Sequence, residues 1–173
     1  MTNLIIIGGA PGSGKTVVSK LLSKKLNSPF IDFGDVRNFH LDPKWKKANK
    51  KEEKMSFKNL IFMLNNYIKN NYKNVIVTDL EDFRVREIPK HFSKNKYVII
   101  SLVIADDDEL KRRVLDESRD SGFRNVKAAL SWNRKLLGRK TVKNELKMDN
   151  THRKPQTTVK CIMKIIKTPK TPS

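Results

Sequence analysis

The sequence predicts an α/β fold in which parallel strands alternate with helices around a single sheet. Three observations predict it. Apolar runs rich in Ile and Val occur at residues 4–7, 75–77 and 97–104, a composition that suits strands buried on both faces. Segments with helical spacing of apolar residues lie between them. The first run ends in a Gly-rich loop and the second closes on Asp79, and the ends of parallel strands are where open sheets collect ligands.

The chain has 173 residues, enough for one domain with a proper core, and its hydrophobic content is 38%. No run approaches the length of a membrane span, and residues 4–7 are too short for the apolar stretch of a secretory leader. A lone Cys161 argues against a disulfide framework, and the scattered His40, His91 and His152 argue against zinc. A reducing cytoplasm is the expected compartment. The formal charge of +19, from 37 basic against 18 acidic residues, attracts polyanions. The same lysine-rich composition also arises from an AT-rich genome.

In order, residues 4–7 are the first strand, and the loop after it reads Gly8-Gly9-Ala10-Pro11-Gly12-Ser13-Gly14-Lys15-Thr16. From Gly9 it matches G-x-x-x-x-G-K-[ST] at every fixed position, and Val17, Val18, Leu21, Leu22 and Leu26 give the next helix an apolar face. In such a loop successive backbone N–H groups curl round a phosphate, and the helix aims its positive end at the same point. Gly9, Gly12 and Gly14 permit the close approach. Lys15 supplies a point charge for the β/γ-phosphates, and Thr16 a hydroxyl for Mg²⁺. Gly9, Ala10, Pro11, Gly12, Ser13, Gly14, Lys15, Thr16 and Val17 are the candidate nucleotide contacts, with ATP and Mg²⁺ the expected ligands.

Residues 30–31 read as a short second strand ending in Asp32 and Asp35. Asp35 could orient or deprotonate an attacking hydroxyl, or cap a helix; Arg37 could hold an anionic substrate, or form a surface ion pair. Residues 40–58 are crowded with lysines around Trp45 and are expected as a mobile loop or short helices, most of the lysines being a solvated face. Phe57, Leu60, Ile61, Leu64 and Ile68 then form a helical stripe for the core. Residues 75–79 are the third strand, and Asp79 is placed to hold magnesium through water. A charged loop follows, and its Arg84 joins Asp32, Asp35 and Arg37 as candidate substrate contacts.

The fourth strand, 97–104, leads to Asp106, Asp107, Asp108 and Glu109, which suit the start of a helix better than a metal site. Arg112, Arg113, Arg119 and Arg124 cluster around Gly122, and Arg134 lies on a helix at 126–137 whose inward positions are Val126, Ala129, Leu130 and Leu137. Arginine forks suit phosphate oxygens, so the cluster reads as a closing flap or as a basic pair of surface helices. A weaker strand at 145–148, a turn at 149–151, a helix from Pro155 with Val159, Ile162, Met163 and Ile166 on one face, and a disordered tail at 168–173 complete the chain.

In this order the parts resemble the P-loop kinase group: nucleoside monophosphate kinases, shikimate kinase and related small phosphotransferases. The stretches that carry the resemblance are 9–16, 30–37, 75–79, 112–134 and 149–155. Ser121-Gly122-Phe123-Arg124-Asn125 resembles the arginine lid of pyrimidine monophosphate kinases without its paired aspartates, and Arg134 matches a further arginine on the next helix. Gly34-Asp35-Val36-Arg37 is similar to segments of adenylylsulfate kinase and of the kinase half of polynucleotide kinases. His40 lies too far along to match the histidine of gluconate kinases.

The resemblance implies a three-layer fold with a five-stranded parallel sheet, order 2-3-1-4-5, and helices on both faces. It implies one domain over 1–167, with an acceptor region at 35–70 and a lid at 116–126. Lys15, Asp35, Arg113, Arg119, Arg124 and Arg134 would be catalytic, Thr16 and Asp79 would hold the metal, and the adenine would lie between the lid arginines, Arg119 included, and the turn carrying Asn150 and Arg153. The expected function is an ATP-dependent kinase acting on a hydroxyl or phosphate of a small molecule or nucleotide, without a membrane, as monomer or dimer. A polynucleotide 5′-hydroxyl kinase and a non-kinase ATPase are the alternatives. The acceptor, and the choice between ATP and GTP, stay open.

Overall fold

The computed structural model describes residues 2–38, 49–93, 96–119 and 121–167. His40, Asp42, Lys44, Trp45, Lys46, Lys47 and the tail at 168–173 lie outside the described residues, as do the expectations made for them.

Five strands form the sheet: β1 (Leu4–Gly9), β2 (Phe30–Asp32), β3 (Val75–Thr78), β4 (Tyr97–Val103) and β5 (Glu145–Asp149). Their order is β2-β3-β1-β4-β5 and every pairing is parallel, with Leu4 beside Val75 and Tyr97 and Ile99 beside Glu145. This is the expected sheet. Strands buried on both faces send alternate side chains into two separate cores. From β1, Leu4 and Ile6 enter one cluster, with Phe57, Leu60 and Leu64; Ile5 and Ile7 enter the other, with Val18, Leu22, Val159 and Ile162.

The helices supply the covering layers. α1 (Lys15–Leu26) and α8 (Pro155–Lys167) cover one face, while α2 (Phe33–Asn38) and α3 (Lys50–Lys69) pack together on the other. The lysine-rich stretch at 50–58, expected as loop or short helices, is the first half of α3. Asn49 and Glu52 exchange backbone hydrogen bonds in a capping box that starts this helix, an arrangement that stabilises a helix end by about 1 kcal/mol. Burial of Phe57, Leu60 and Leu64 then offsets the ordering cost, at roughly 1.5–3 kcal/mol per side chain. The charged stretch after Asp79 is likewise more ordered than expected and forms α4 (Asp82–Val85) and α5 (Ile88–His91).

Beyond β4 come α6 (Asp107–Leu115) and α7 (Val126–Gly138). Asp106 caps α6 by accepting from the N–H groups of Asp108 and Glu109, as expected of that acidic run. The expected apolar faces of α1 and α7 enter the core except at one residue each. Val17 is 53% exposed, and Leu137 is 39% exposed while Leu136 and Asn133 are buried. Asn133 sets the α7 rotation: its amide donates to the Ile104 carbonyl at 2.7 Å and accepts from the Ile104 N–H at 3.1 Å. At the other end of α7, Arg139 donates to both Asp82 and Glu145 at 2.7 Å, tying the helix to α4 and β5. Glu145 is buried, which alone would raise its pKa. The bonds from Arg139 and the Ser101 hydroxyl nonetheless hold it below the usual carboxylate range.

Candidate active site

Between β1 and α1 the main chain makes a tight loop that needs glycine at particular places. Gly9 has φ +146°, and a side chain there would strike Ser13 and come within 2.7 Å of the Leu102 carbonyl oxygen. Gly14 caps α1 in the left-handed region at φ +88°, where a Cβ would lie 2.9 Å from the Asn150 amide nitrogen. The loop is braced from behind. Asn150, just after β5, donates to the Ser13 carbonyl at 2.8 Å, and Thr158 of α8 donates to Asn150 at 2.5 Å. Ser13 is itself fully buried beneath the loop.

Opposite the loop stand the carboxylates that end β2 and β3. Asp79 Oδ1 lies 3.4 Å from the Lys15 ammonium, and its Oδ2 lies 3.6 Å from Arg37, which also reaches Glu81 at 3.8 Å. Asp79 has φ +63°, a left-handed conformation that a non-glycine residue adopts at a cost, and that is concentrated at functional positions. Asp32 accepts from the Gly34 N–H at 2.9 Å, and a Cβ on Gly34 would sit 3.1 Å from Asp32 and 3.3 Å from Asp79. The two carboxylates therefore flank one backbone point. Burial raises the Asp32 pKa; the Gly34 bond opposes that, the charges of Asp79 and Asp35 add to it, and Lys15 offsets part of it.

These groups open into one cavity of about 1900 Å³. Of the sequence-derived candidates, Gly9, Ala10, Pro11, Gly12, Gly14, Lys15, Thr16, Val17, Asp32, Asp35, Arg37, Asp79, Arg113, Arg119, Asn150 and Arg153 line it. Arg113 is held by Glu109 at 2.6 Å and by the Thr151 carbonyl. Hydrogen bonds from Arg112 first, and then Arg113, pull the Glu109 pKa to about 2. Arg119 donates to the Val114 carbonyl at 2.9 Å, and burial, with the nearby charge of Arg124, lowers its pKa.

Four candidates do not line the cavity, the first being the buried Ser13 of the loop itself. Arg84 bonds Glu53 and Glu87 and lies over the rings of Phe57, at 4.5 Å, and Phe83, at 4.8 Å. Arg124 folds back on the carbonyls of Ser121 and Phe123. Arg134 pairs with Asp107 on the outer side of α7. Sequence reasoning passed over Phe123, Trp132 and Lys135, which line the cavity instead. The Phe123 and Trp132 rings meet at 5.6 Å, tilted by 35°. Trp132 and Lys135 stand three residues apart, one helical turn, and only the inward turn of Asn133 shows which face of α7 they share.

The residues fit a magnesium-bound nucleoside triphosphate. A loop that side chains cannot enter, a helix N-terminus and one ammonium make a phosphate cradle. Among the described residues no group of three or more His, Cys, Asp or Glu could hold a metal ion. Mg²⁺ needs no such cage, since it is commonly held by one or two protein groups together with water and phosphate oxygens, and Thr16 with Asp79 answers that description. No helix among the described residues is long and apolar enough to cross a membrane.

A family model described as "AAA domain" matches residues 5–130. No curated protein matches the sequence. Solved structures with the same fold include a sugar kinase from Janibacter sp., at 11% identity and TM-score 0.69, covering 96% of this chain and 95% of that one. A gluconokinase from Sinorhizobium meliloti is 14% identical with TM-score 0.64, covering 91% and 87%. Shikimate kinase from Aquifex aeolicus is 21% identical with TM-score 0.60, covering 94% and 95%. At these identities the likeness is one of fold, and the fold is that of the P-loop kinases.

Proposed function

We propose, for a chain that belongs to the AAA domain family, that it is an ATP-dependent kinase which transfers the γ-phosphoryl group to a hydroxyl on a small molecule or nucleotide. The observation that carries this reading is the shared cavity in which Lys15, at the mouth of the glycine-shaped loop, stands 3.4 Å from Asp79, with Asp35 and Arg37 in the same wall. An ATPase needs the first half of that arrangement; a kinase needs both.

The loop amides and Lys15 bind and orient the phosphates, while Thr16 and Asp79 hold Mg²⁺, which when bound neutralises charge on the phosphate oxygens. The Lys15–Asp79 and Arg37–Asp79 pairs keep the Asp79 carboxylate turned to the loop before ligands arrive. Asp35 orients the acceptor hydroxyl and takes its proton as the new P–O bond forms and the bond from the γ-phosphorus to the β,γ-bridging oxygen of ATP breaks, releasing ADP. Arg113 and Arg119 face the migrating group, and Arg37 holds an anionic part of the acceptor. Lys135 takes on α7 the place first given to Arg134. Asn150 and Arg153 border the base of the nucleotide. The acceptor region spans about 35–70 and the lid about 116–126, within one domain that ends near 167.

Incubation with γ-labelled ATP, Mg²⁺ and a panel of sugar, shikimate-like and nucleoside acceptors tests the reading. Transfer of label to one acceptor class, above release to water, is the expected result. Release of phosphate at a rate no acceptor changes would replace the kinase with an ATPase, and no heat of binding for ATP or GTP in calorimetry would end both.

A further inference from the structure

Helix α3 buries Phe57, Leu60 and Leu64, and its opposite side carries an unusual set of side chains. Lys51, Met55, Lys58, Phe62 and Lys69 are all exposed and follow one another at steps of four, three, four and seven residues, which keeps them on one stripe of a helix with 3.6 residues per turn. Lys54 lies beside them. Phe62 is 76% exposed and Met55 41%. The two acids of the helix are turned elsewhere: Glu52 closes the capping box and Glu53 bonds Arg84. Among the described residues none of Lys51, Lys54, Lys58 and Lys69 forms an ion pair.

We propose that this stripe binds single-stranded nucleic acid, with the lysines along the phosphates and Phe62 as a stacking platform for a base. The proposal goes beyond the kinase reading and does not depend on it. Charge complementarity names the occupant. The stripe is purely cationic on a chain of net charge +19, so a second copy of the same surface is repelled. Two apolar side chains separated by a lysine make too narrow a face to enter a bilayer, where an interfacial helix needs a broad one. A polyanion whose bases have flat faces satisfies both halves of the pattern, because stacking on an aromatic ring is indifferent to sequence and lysines follow the backbone. The 20 residues of α3 run about 30 Å, room for a short strand.

Fluorescence anisotropy with a labelled oligothymidylate of roughly 20 nucleotides, at ~50 and ~200 mM salt, tests it without any phosphoryl transfer. The expected result is salt-sensitive binding that Phe62→Ala weakens by about 5- to 100-fold with the salt slope unchanged. The double variant Lys51→Glu/Lys58→Glu should weaken binding and lower the slope of log K on log salt by about 1.4, at about 0.7 per lysine. The charge-matched control Lys24→Glu/Lys25→Glu, on exposed positions of α1, should do neither. All these sites are exposed, so the melting temperatures should agree, and circular dichroism checks that they do. Four results would overturn the proposal: no binding at low salt; binding indifferent to the α3 variants; an equal loss in the α1 control; or a Phe62→Ala loss confined to phosphatidylserine vesicles.

Discussion

Around Lys15 the cavity wall is main chain, shaped by glycine conformations and buttressed by Asn150 and Thr158. Around Trp132 and Lys135 the same wall is a row of side chains on α7, set at their angle by Asn133 at mid-helix and Arg139 at its end. A backbone cradle suits a ligand portion that never varies, the phosphates, since it can be altered only by reshaping the loop. A side-chain wall suits the portion that distinguishes one kinase from the next, because single substitutions change it and leave the frame standing. The contrast makes different demands on the two halves, and variants can test each.

The largest effect is expected at Lys15. Lys15→Ala should lower the rate of label transfer from ATP by about 10³-fold or more, with the melting temperature nearly unchanged, because one preorganised charge on the phosphates is lost and no packing is. Undiminished transfer would remove the cradle from the mechanism. Asp79→Asn comes next. It should cost about 10²-fold in kcat and raise the Mg²⁺ concentration needed for half-maximal rate, read from a magnesium titration. On the side-chain wall of α7, Lys135→Ala should reduce kcat/KM by roughly 10-fold, while Arg134→Ala, which breaks only an exposed pair with Asp107, should leave it within about twofold. A reversed ranking would give the role back to Arg134. The smallest effect concerns stability. The Asp32 pKa is raised in the folded state, so folding is favoured by its protonation, and stability from this group falls as pH rises through the folded pKa. Asp32→Asn should therefore raise the melting temperature by a few degrees at pH 7, and the gain should vanish below the ordinary Asp value of 3.8. A gain that persisted in acid would have another cause.

What the sequence made legible was local. The five strands, the loop and the helices from Lys15, Asp107, Val126 and Pro155 follow from runs, caps and periods within a few residues, and the sheet has the order the resemblance implied. What it hid depends on partners far along the chain. Arg84 looked available to a substrate because its partner Glu53 sits 31 residues earlier, in a stretch expected as a mobile loop or short helices. Arg134 and Lys135 are neighbours in sequence, and periodicity put Leu137 inside α7. The actual rotation rests on a polar residue, Asn133, satisfying both backbone groups of Ile104, which no hydrophobic pattern records. Asp32, Asp35 and Asp79 line the cavity because each lies at or just after a strand end, where the topology itself does the gathering.

The buttress behind Ser13 has a consequence for how the protein comes into being. The loop is made well before its support: the amide that steadies its carbonyl is 137 positions later, and the hydroxyl that steadies that amide lies later still. A ribosome-bound nascent chain would carry the complete glycine sequence through those 137 positions without a finished grip on phosphate. Competence should arrive abruptly, when α8 clears the exit tunnel and docks.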